Sequence, residues 1–201
     1  MPRPPRTTPT DPRATIHVHP DRDAGDEAAS FLADGLVAHV AFVDDGQPFV
    51  IPMTYHARPS EPHRLYLHGG HHSRLLRHLA SGAPVCVAVT LVDGVVYSRT
   101  AMSHSVNYRS VVCFGRAAAV QPSADEQRAV LHEMIERYTP GRLAGVDFEP
   151  VPDVHLRATA FVALDVEATS AKARRGGPKG PRDGDESAPG TAGVVTFARS
   201  A

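Results

Sequence analysis

Leu36-Val37-Ala38-His39-Val40-Ala41-Phe42-Val43 runs into Asp44-Asp45-Gly46-Gln47 and returns as Pro48-Phe49-Val50-Ile51-Pro52-Met53-Thr54-Tyr55-His56; this stretch decides the fold. An Asp-Gly pair between two apolar runs is the signal of a two-residue hairpin, so the flanking strands are antiparallel neighbours. A parallel βαβ unit would instead need a crossover of a dozen or more residues. Asp93-Gly94, between apolar runs at 84–92 and 95–99, reads as a second hairpin turn. Further strands are expected at 64–68, 108–120 and 157–168. Ala28, Phe31 and Leu32 stripe a helix over 23–34, ended by Gly35 at the C′ position, and Leu75, Leu76 and Leu79 stripe another over 72–81, ended by Gly82. Ser123-Ala124-Asp125-Glu126 is a capping box that opens a third helix, running to about Tyr138. The fold class is mainly β with inserted helices, a six- to seven-stranded antiparallel barrel.

The chain of 201 residues suits one domain, with tails at both ends. Residues 1–14 are rich in Pro, Thr and Arg and read as a disordered tail; 15–172 form the domain; 173–201 are a Gly-, Pro- and charge-rich flexible segment that docks back at 191–199. A net charge of −1 offers no basic face for nucleic acid. No apolar run reaches the roughly 18 residues of a membrane span, and none follows the arginines of the N-terminus as in a signal peptide, so the expected location is cytoplasmic. Cys86 and Cys113 lie in apolar runs and read as buried free thiols rather than a disulfide. Lys172 and Lys179 are the only lysines.

The chemistry-bearing stretches are few. In Gly69-Gly70-His71-His72-Ser73-Arg74 a strand ends, glycines open a turn and a helix begins. The first amides of that helix, the Ser73 hydroxyl and the Arg74 guanidinium suit an anion, phosphate first. Ordinary N-capping beside a solvated arginine fits the same residues. His68, His71, His72, His78 and His104 raise the alternatives of a metal or a haem, but no metal-binding spacing is present and no metal site is assigned. There is no Gly-x-Ser-x-Gly elbow for nucleophilic catalysis. Pro52 cannot donate to a ladder, so its strand is an edge or bulged, and an open edge suits a planar heterocycle with a donor–acceptor rim. In Ser105-Val106-Asn107-Tyr108-Arg109-Ser110-Val111-Val112, Ser110 interrupts an apolar strand, while Tyr108 and Arg109 fit a solvated edge.

Taken together, Gly46-Gln47-Pro48-Phe49-Val50-Ile51-Pro52, Tyr66-Leu67-His68-Gly69 with Ser73-Arg74, His104 to Val112, Ser170-Ala171-Lys172 and Ala192-Gly193-Val194-Val195 resemble the pyridoxamine 5′-phosphate oxidase-like FMN-binding split barrels. Within that family, the nitroimidazole-resistance-related branch is the nearer likeness. The resemblance implies a homodimeric split barrel with two flavin sites at the subunit interface. By position it implies that Val50, Ile51, Pro52, Met53 and Thr54 line the isoalloxazine with His68 and Gly69 beside them. Ser73 and Arg74 would grip the phosphate, Ser110 and Val111 would reach the ring or ribityl chain, and His71 would stand where the branch places a functional histidine. One departure is plain: Thr191 stands where the family carries a tryptophan, and the chain has no Trp at all. The expected function is a flavin-dependent oxidoreductase acting on a small organic molecule, with FMN as cofactor and F420 or haem as alternatives. A haem-binding split barrel with a histidine axial ligand and a non-catalytic flavin carrier or sensor are the rival functions.

Overall fold

The structure, a computed structural model, describes residues 11–118 and 121–197. After α1 (Ala28–Asp34), the opening hairpin pairs β1 (Val37–Asp44) with β2 (Gln47–Thr54) antiparallel over their whole length. Its turn residues Asp45 and Gly46 both take positive φ, 49° and 76°, as a type I′ turn requires. Then follow β3 (His56–Ala57), β4 (Arg64–Gly70), α2 (Arg74–Ala80), β5 (Val85–Tyr97), β6 (Ser105–Ala117), α3 (Ala124–Tyr138), α4 (Asp153–Ala158), β7 (Thr159–Arg174) and β8 (Gly193–Thr196). Among the described residues eight strands thus stand against the six or seven expected. They form one antiparallel sheet in the order β2-β1-β5-β6-β7-β4-β3, with β8 added to β5.

The two end strands, β2 and β3, are separated in sequence by Tyr55 alone, so the sheet must curl until its first and last strands meet. Tyr55 is fully buried at that seam, its hydroxyl donating to Leu32 O at 2.6 Å. Val40, Leu65, Leu67, Val87, Val89, Val111, Cys113 and Leu164 fill the inside, with Phe31 of α1 and Leu75 and Leu79 of α2 packed against them. A second cluster outside the barrel sets Val130 and Met134 of α3 on Tyr66, Phe161 and Ala163. β4 is therefore buried on both faces, which is why Leu65-Tyr66-Leu67 shows no alternation.

Several sequence expectations change. Asp93-Gly94 is not a hairpin turn: β5 runs straight through it, with a bulge between Val92 and Gly94. Gly94 is needed because β8 passes so close that a Cβ there would lie 2.5 Å from Val195 O. Gly35 is not left-handed either; at φ −79° it is extended, and it is small because an added Cβ would strike Val89 and the Tyr55 hydroxyl. The 23–34 helix is a 3-10 turn, Gly25–Glu27, followed by α1. α2 starts only at Arg74, β7 continues six residues past 168 to Arg174, and α4 had no signal strong enough to be read. Arg109 is no solvated edge residue: it is 4% exposed, bonded to Asp93 at 2.8 Å and to Asp34. Cys86 and Cys113 are free, and adjacent register positions turn them to opposite faces of the sheet.

Residues 1–10 of the expected N-terminal tail, 198–201 and the end of the 108–120 strand at 119–120 lie outside the described residues. Within that tail, Pro12–Ala14 is a 3-10 turn capped by Asp11, with Ala14 buried. After β7 the chain, expected from composition to be flexible, is fastened by Asp183, which accepts from Ser98 Oγ, Arg99 N and Gly180 N, and it returns as β8. Among the described residues no helix is long and apolar enough to cross a membrane.

Candidate functional site

Among the described residues β2 pairs only with β1 and its other edge carries no strand, which is the edge rather than the bulge of the two readings Pro52 left open. Its residues alternate. Ile51 and Met53 turn inward onto the core, whereas Val50, Pro52 and Thr54 stand exposed on the outer face. Of the five residues expected to line a flat ligand, only these three offer side chains to one; Ile51 and Met53 have backbone alone to give.

At the start of α2, Ser73 is the N-cap and accepts from Leu76 N at 3.4 Å. Arg74 is exposed and lies over the Phe49 ring of β2, its guanidinium carbon 4.3 Å from the ring centroid. No carboxylate among the described residues pairs with it. The helix start and the open strand, read separately from sequence, therefore adjoin. The glycine at position 69 is set by packing, since a Cβ there would come within 3.2 Å of Leu76 Cδ1.

His68, at the end of β4, is half-buried and stacks on Phe161 with ring centroids 6.1 Å apart. Its Nδ1 is buried without a hydrogen-bond partner, and burial lowers its pKa from the ordinary value. His71 is exposed, with its Nε2 3.0 Å from Arg157 O, at the rim of a cavity of about 650 Å³. Leu76, Leu79, Phe161, Val162 and Ala160 line this cavity, with Gln121 and Gln127 as polar groups. His78 instead lies against Phe42 with the rings tilted by 40°, and His104 lies by the 101–103 turn, so the histidines scatter. Among the described residues no three metal-ligating side chains gather.

Ser110 lies on the outer face of β6, between Thr90 of β5 and Lys172 of β7. Following the register, Val112, Ala88, His39 and Pro52 form one row across β6, β5, β1 and β2 on that same face. Ser110 is thus three strand spacings, about 14 Å, from β2. Val111 points the other way and is fully buried in the core, so its side chain cannot touch a ligand outside the barrel.

A polar staple went unread in the sequence. Arg58 donates from Nε to Glu133 Oε2 at 2.7 Å and from Nη1 to Glu61 Oε1 at 2.9 Å, while the Tyr66 hydroxyl donates to Glu61 Oε2 at 2.6 Å. His56 Nε2 lies 2.9 Å from the same Glu133 oxygen. Burial works against the Glu133 carboxylate, yet Arg58 and then His56 hold it below the usual carboxylate range. Glu133 lies 75 and 77 residues from Arg58 and His56, with no spacing to link them; the docking of α3 against β3 brings it to the local cluster of His56, Arg58, Glu61 and Tyr66.

This architecture, a curled antiparallel sheet with one open edge strand beside a helix start, defines a class of split barrels. A profile of the pyridoxamine 5′-phosphate oxidase family matches residues 24–173, and the chain belongs to that family. It is 33% identical to the FAD and heme binding protein from Mycobacterium smegmatis, covering 87% of this chain and 82% of that one, with a TM-score of 0.73. It is 29% identical to the flavocytochrome Anf3 from Azotobacter vinelandii over 95% and 86% of the two chains, with a TM-score of 0.76. A putative 5-nitroimidazole antibiotic resistance protein from Bacteroides thetaiotaomicron shares the fold at 22% identity, 74% and 83% coverage and a TM-score of 0.59. No curated protein sequence matches.

Proposed function

We propose that the chain is a flavin-binding oxidoreductase acting on a small organic molecule, with its cofactor seated where β2 meets the start of α2. The observation that carries this is Arg74, an exposed guanidinium with no carboxylate partner among the described residues, standing over Phe49 at that junction. A phosphate tail would complete it with charge-assisted hydrogen bonds. Helix α2 has only seven residues, so the guanidinium and the Ser73 hydroxyl supply most of the attraction. When bound, a flavin supplies hydride or single-electron transfer. Phe49 alternates with Val50, Pro52 and Thr54, so a cofactor held by Arg74 on the Phe49 side reaches their exposed face, and the Ser110 hydroxyl on that same outer face, across the open edge of β2.

Ser110 and β2 lie about 14 Å apart within one protomer, and this favours a homodimer in which each flavin is held from both chains. FMN is our first reading of the cofactor. FAD shares the isoalloxazine and the phosphate, and it is the form named for the Mycobacterium smegmatis relative.

Haem is a second reading, favoured by a specific observation: the 650 Å³ cavity has Phe161 in its wall and His71 at its rim, and the unpartnered His68 Nδ1 belongs to the ring stacked beside Phe161. His71 lines it, and His68 stands beside the lining Phe161 without lining it; His72 does neither, and His104 lines a different cleft. The same relative is described as binding haem as well as FAD.

A visible spectrum of the freshly purified protein, with mass spectrometry of the released ligand, tests both. Flavin absorbance is expected, and Arg74→Ala is expected to weaken flavin binding by about 1.5–3 kcal/mol. Protein that neither carries nor takes up flavin would end the reading; a Soret band lost in His71→Ala or His68→Ala would establish the second. Turnover of quinones or nitroaromatics with a nicotinamide donor, above that of free flavin, separates an enzyme from a carrier or sensor.

A further inference from the structure

A second cleft, of about 510 Å³, opens at the opposite end of β7 from the corner just described. Its walls are the turn at Pro20–Arg22, the segment at Ala101–Ser103 with His104 and Ser105, and the chain leaving β7 through Ala173, Arg174 and Arg175 to Lys179. Gly69 pairs with Ala160, and Arg174 lies fourteen residues further along the same strand, roughly 45 Å at the usual rise. Within one protomer, a single small cofactor cannot reach from that corner to this cleft, although Ser110, paired with Lys172, lies only two strand positions from Arg174.

The charges in this cleft are lopsided. Arg22, Arg174, Arg175 and Lys179 face it, against the single carboxylate of Asp21. Arg174 is oriented by Asn107 Oδ1 at 2.5 Å, and Arg175 is tied to Glu27 by bonds of 2.7 and 3.1 Å. Arg22 and Lys179 have no carboxylate partner among the described residues. Cations crowded on a concave surface repel one another, and a polyanion relieves that repulsion.

Lys179 is moreover held in place by its neighbour. Gly180 N donates to Asp183 Oδ2, and Asp183 Oδ1 in turn accepts from Ser98 Oγ at 2.7 Å and Arg99 N at 2.9 Å. Gly180 sits so tightly here that an added Cβ would lie 2.5 Å from Ser98 Oγ. One of only two lysines in the chain is thus carried on a fastened loop at the mouth of the cleft.

We propose that this cleft binds a phosphate-bearing nucleotide, with its diphosphate between Arg22 and Lys179. A volume of 510 Å³ exceeds what a lone phosphate fills and lies in the range of small-ligand sites. The Ser103 and Ser105 hydroxyls suit a ribose, and the Met102 side chain, 93% exposed on the rim, is an apolar flap for a heterocycle. This inference rests on the cleft alone and stands whether or not the flavin reading holds.

Calorimetric titration of the full chain with ADP, inorganic pyrophosphate and adenosine tests it. ADP binds, pyrophosphate competes with it and adenosine alone does not. Arg22→Ala and Lys179→Ala each weaken ADP binding by about tenfold, the loss of one charge-assisted contact. Arg74→Ala leaves ADP binding unchanged, and Lys179→Ala leaves flavin content unchanged. The proposal is overturned if ADP does not bind, or if both cleft variants bind it as the parent does. It is equally overturned if Lys179→Ala lowers flavin content in step with ADP affinity, since the cleft would then be part of the flavin site.

Discussion

At the scale of single residues, burial sets what the histidines do. His68 and His56 both titrate below the ordinary 6.5, in each case chiefly because burial penalises the charged ring; at His56 the Glu133 carboxylate only partly offsets this. The unfolded chain therefore binds protons that the folded chain refuses, and stability is complete above about pH 6.5 and is lost as the pH falls towards the depressed values. Urea midpoints are expected to drop between about pH 7 and about pH 5, before most carboxylates protonate. His68→Phe keeps the stack on Phe161 and removes the titration, so it should flatten that slope; an unchanged slope would show that His68 plays no part in it. Neither shift was legible from sequence, because solvation belongs to the surroundings of a ring and not to its neighbours in the chain. Gly35 teaches the same at a smaller size: a glycine after a helix reads as a left-handed terminator, yet here it is demanded by Val89 and Tyr55, distant in sequence.

At the scale of elements, Arg109 joins the end of α1 to the bulge of β5. It reaches Asp34 on one side and Asp93 on the other, and lies over the Phe31 ring at 5.6 Å. Removing it takes away the guanidinium shared by two carboxylates that are only partly exposed, a case between a buried pair and a surface one. Arg109→Met is expected to lower unfolding free energy by about 2 kcal/mol, against about 0–1 kcal/mol for Arg116→Met at the exposed pair with Glu167. Equal losses in urea titrations of the two variants would refute the bridging role. The bulge also explains the misread turn. Asp-Gly favours a reversal locally, but pairing with β6 on one side and β8 on the other keeps β5 extended.

At the scale of the whole molecule, the outer face of β1, β2, β5 and β6 carries Ala41, Val50, Ala88 and Val112, an apolar surface on a strand face that usually carries polar groups, while Phe114 on the same face is covered by Arg13. Val50 is 61% exposed and Val43 58%. A second copy laid on this face would bury it and bring one chain's Ser110 towards the other chain's β2. Sedimentation equilibrium is expected to give twice the 21.5 kDa chain mass. Val112→Asp, which introduces a charge on that face, should yield monomer and release flavin together. A monomer that keeps its flavin would separate assembly from cofactor binding and remove the two-chain site.

Local pattern alone determined the antiparallel class, the opening hairpin with its Asp45-Gly46 turn and the capped helix α3, and narrowed Pro52 to an edge or a bulge, because alternation, turn chemistry and capping act within a few residues. The tertiary structure decided which of those residues face a common space. It sent Val111, Ile51 and Met53 inward, set Arg74 over Phe49, buried Arg109 between two aspartates, and carried Lys179 back to Arg22 across more than a hundred residues. Those outcomes depend on strand register and on how the sheet curls at Tyr55, which are properties of the closed chain and leave no mark on any short stretch of it.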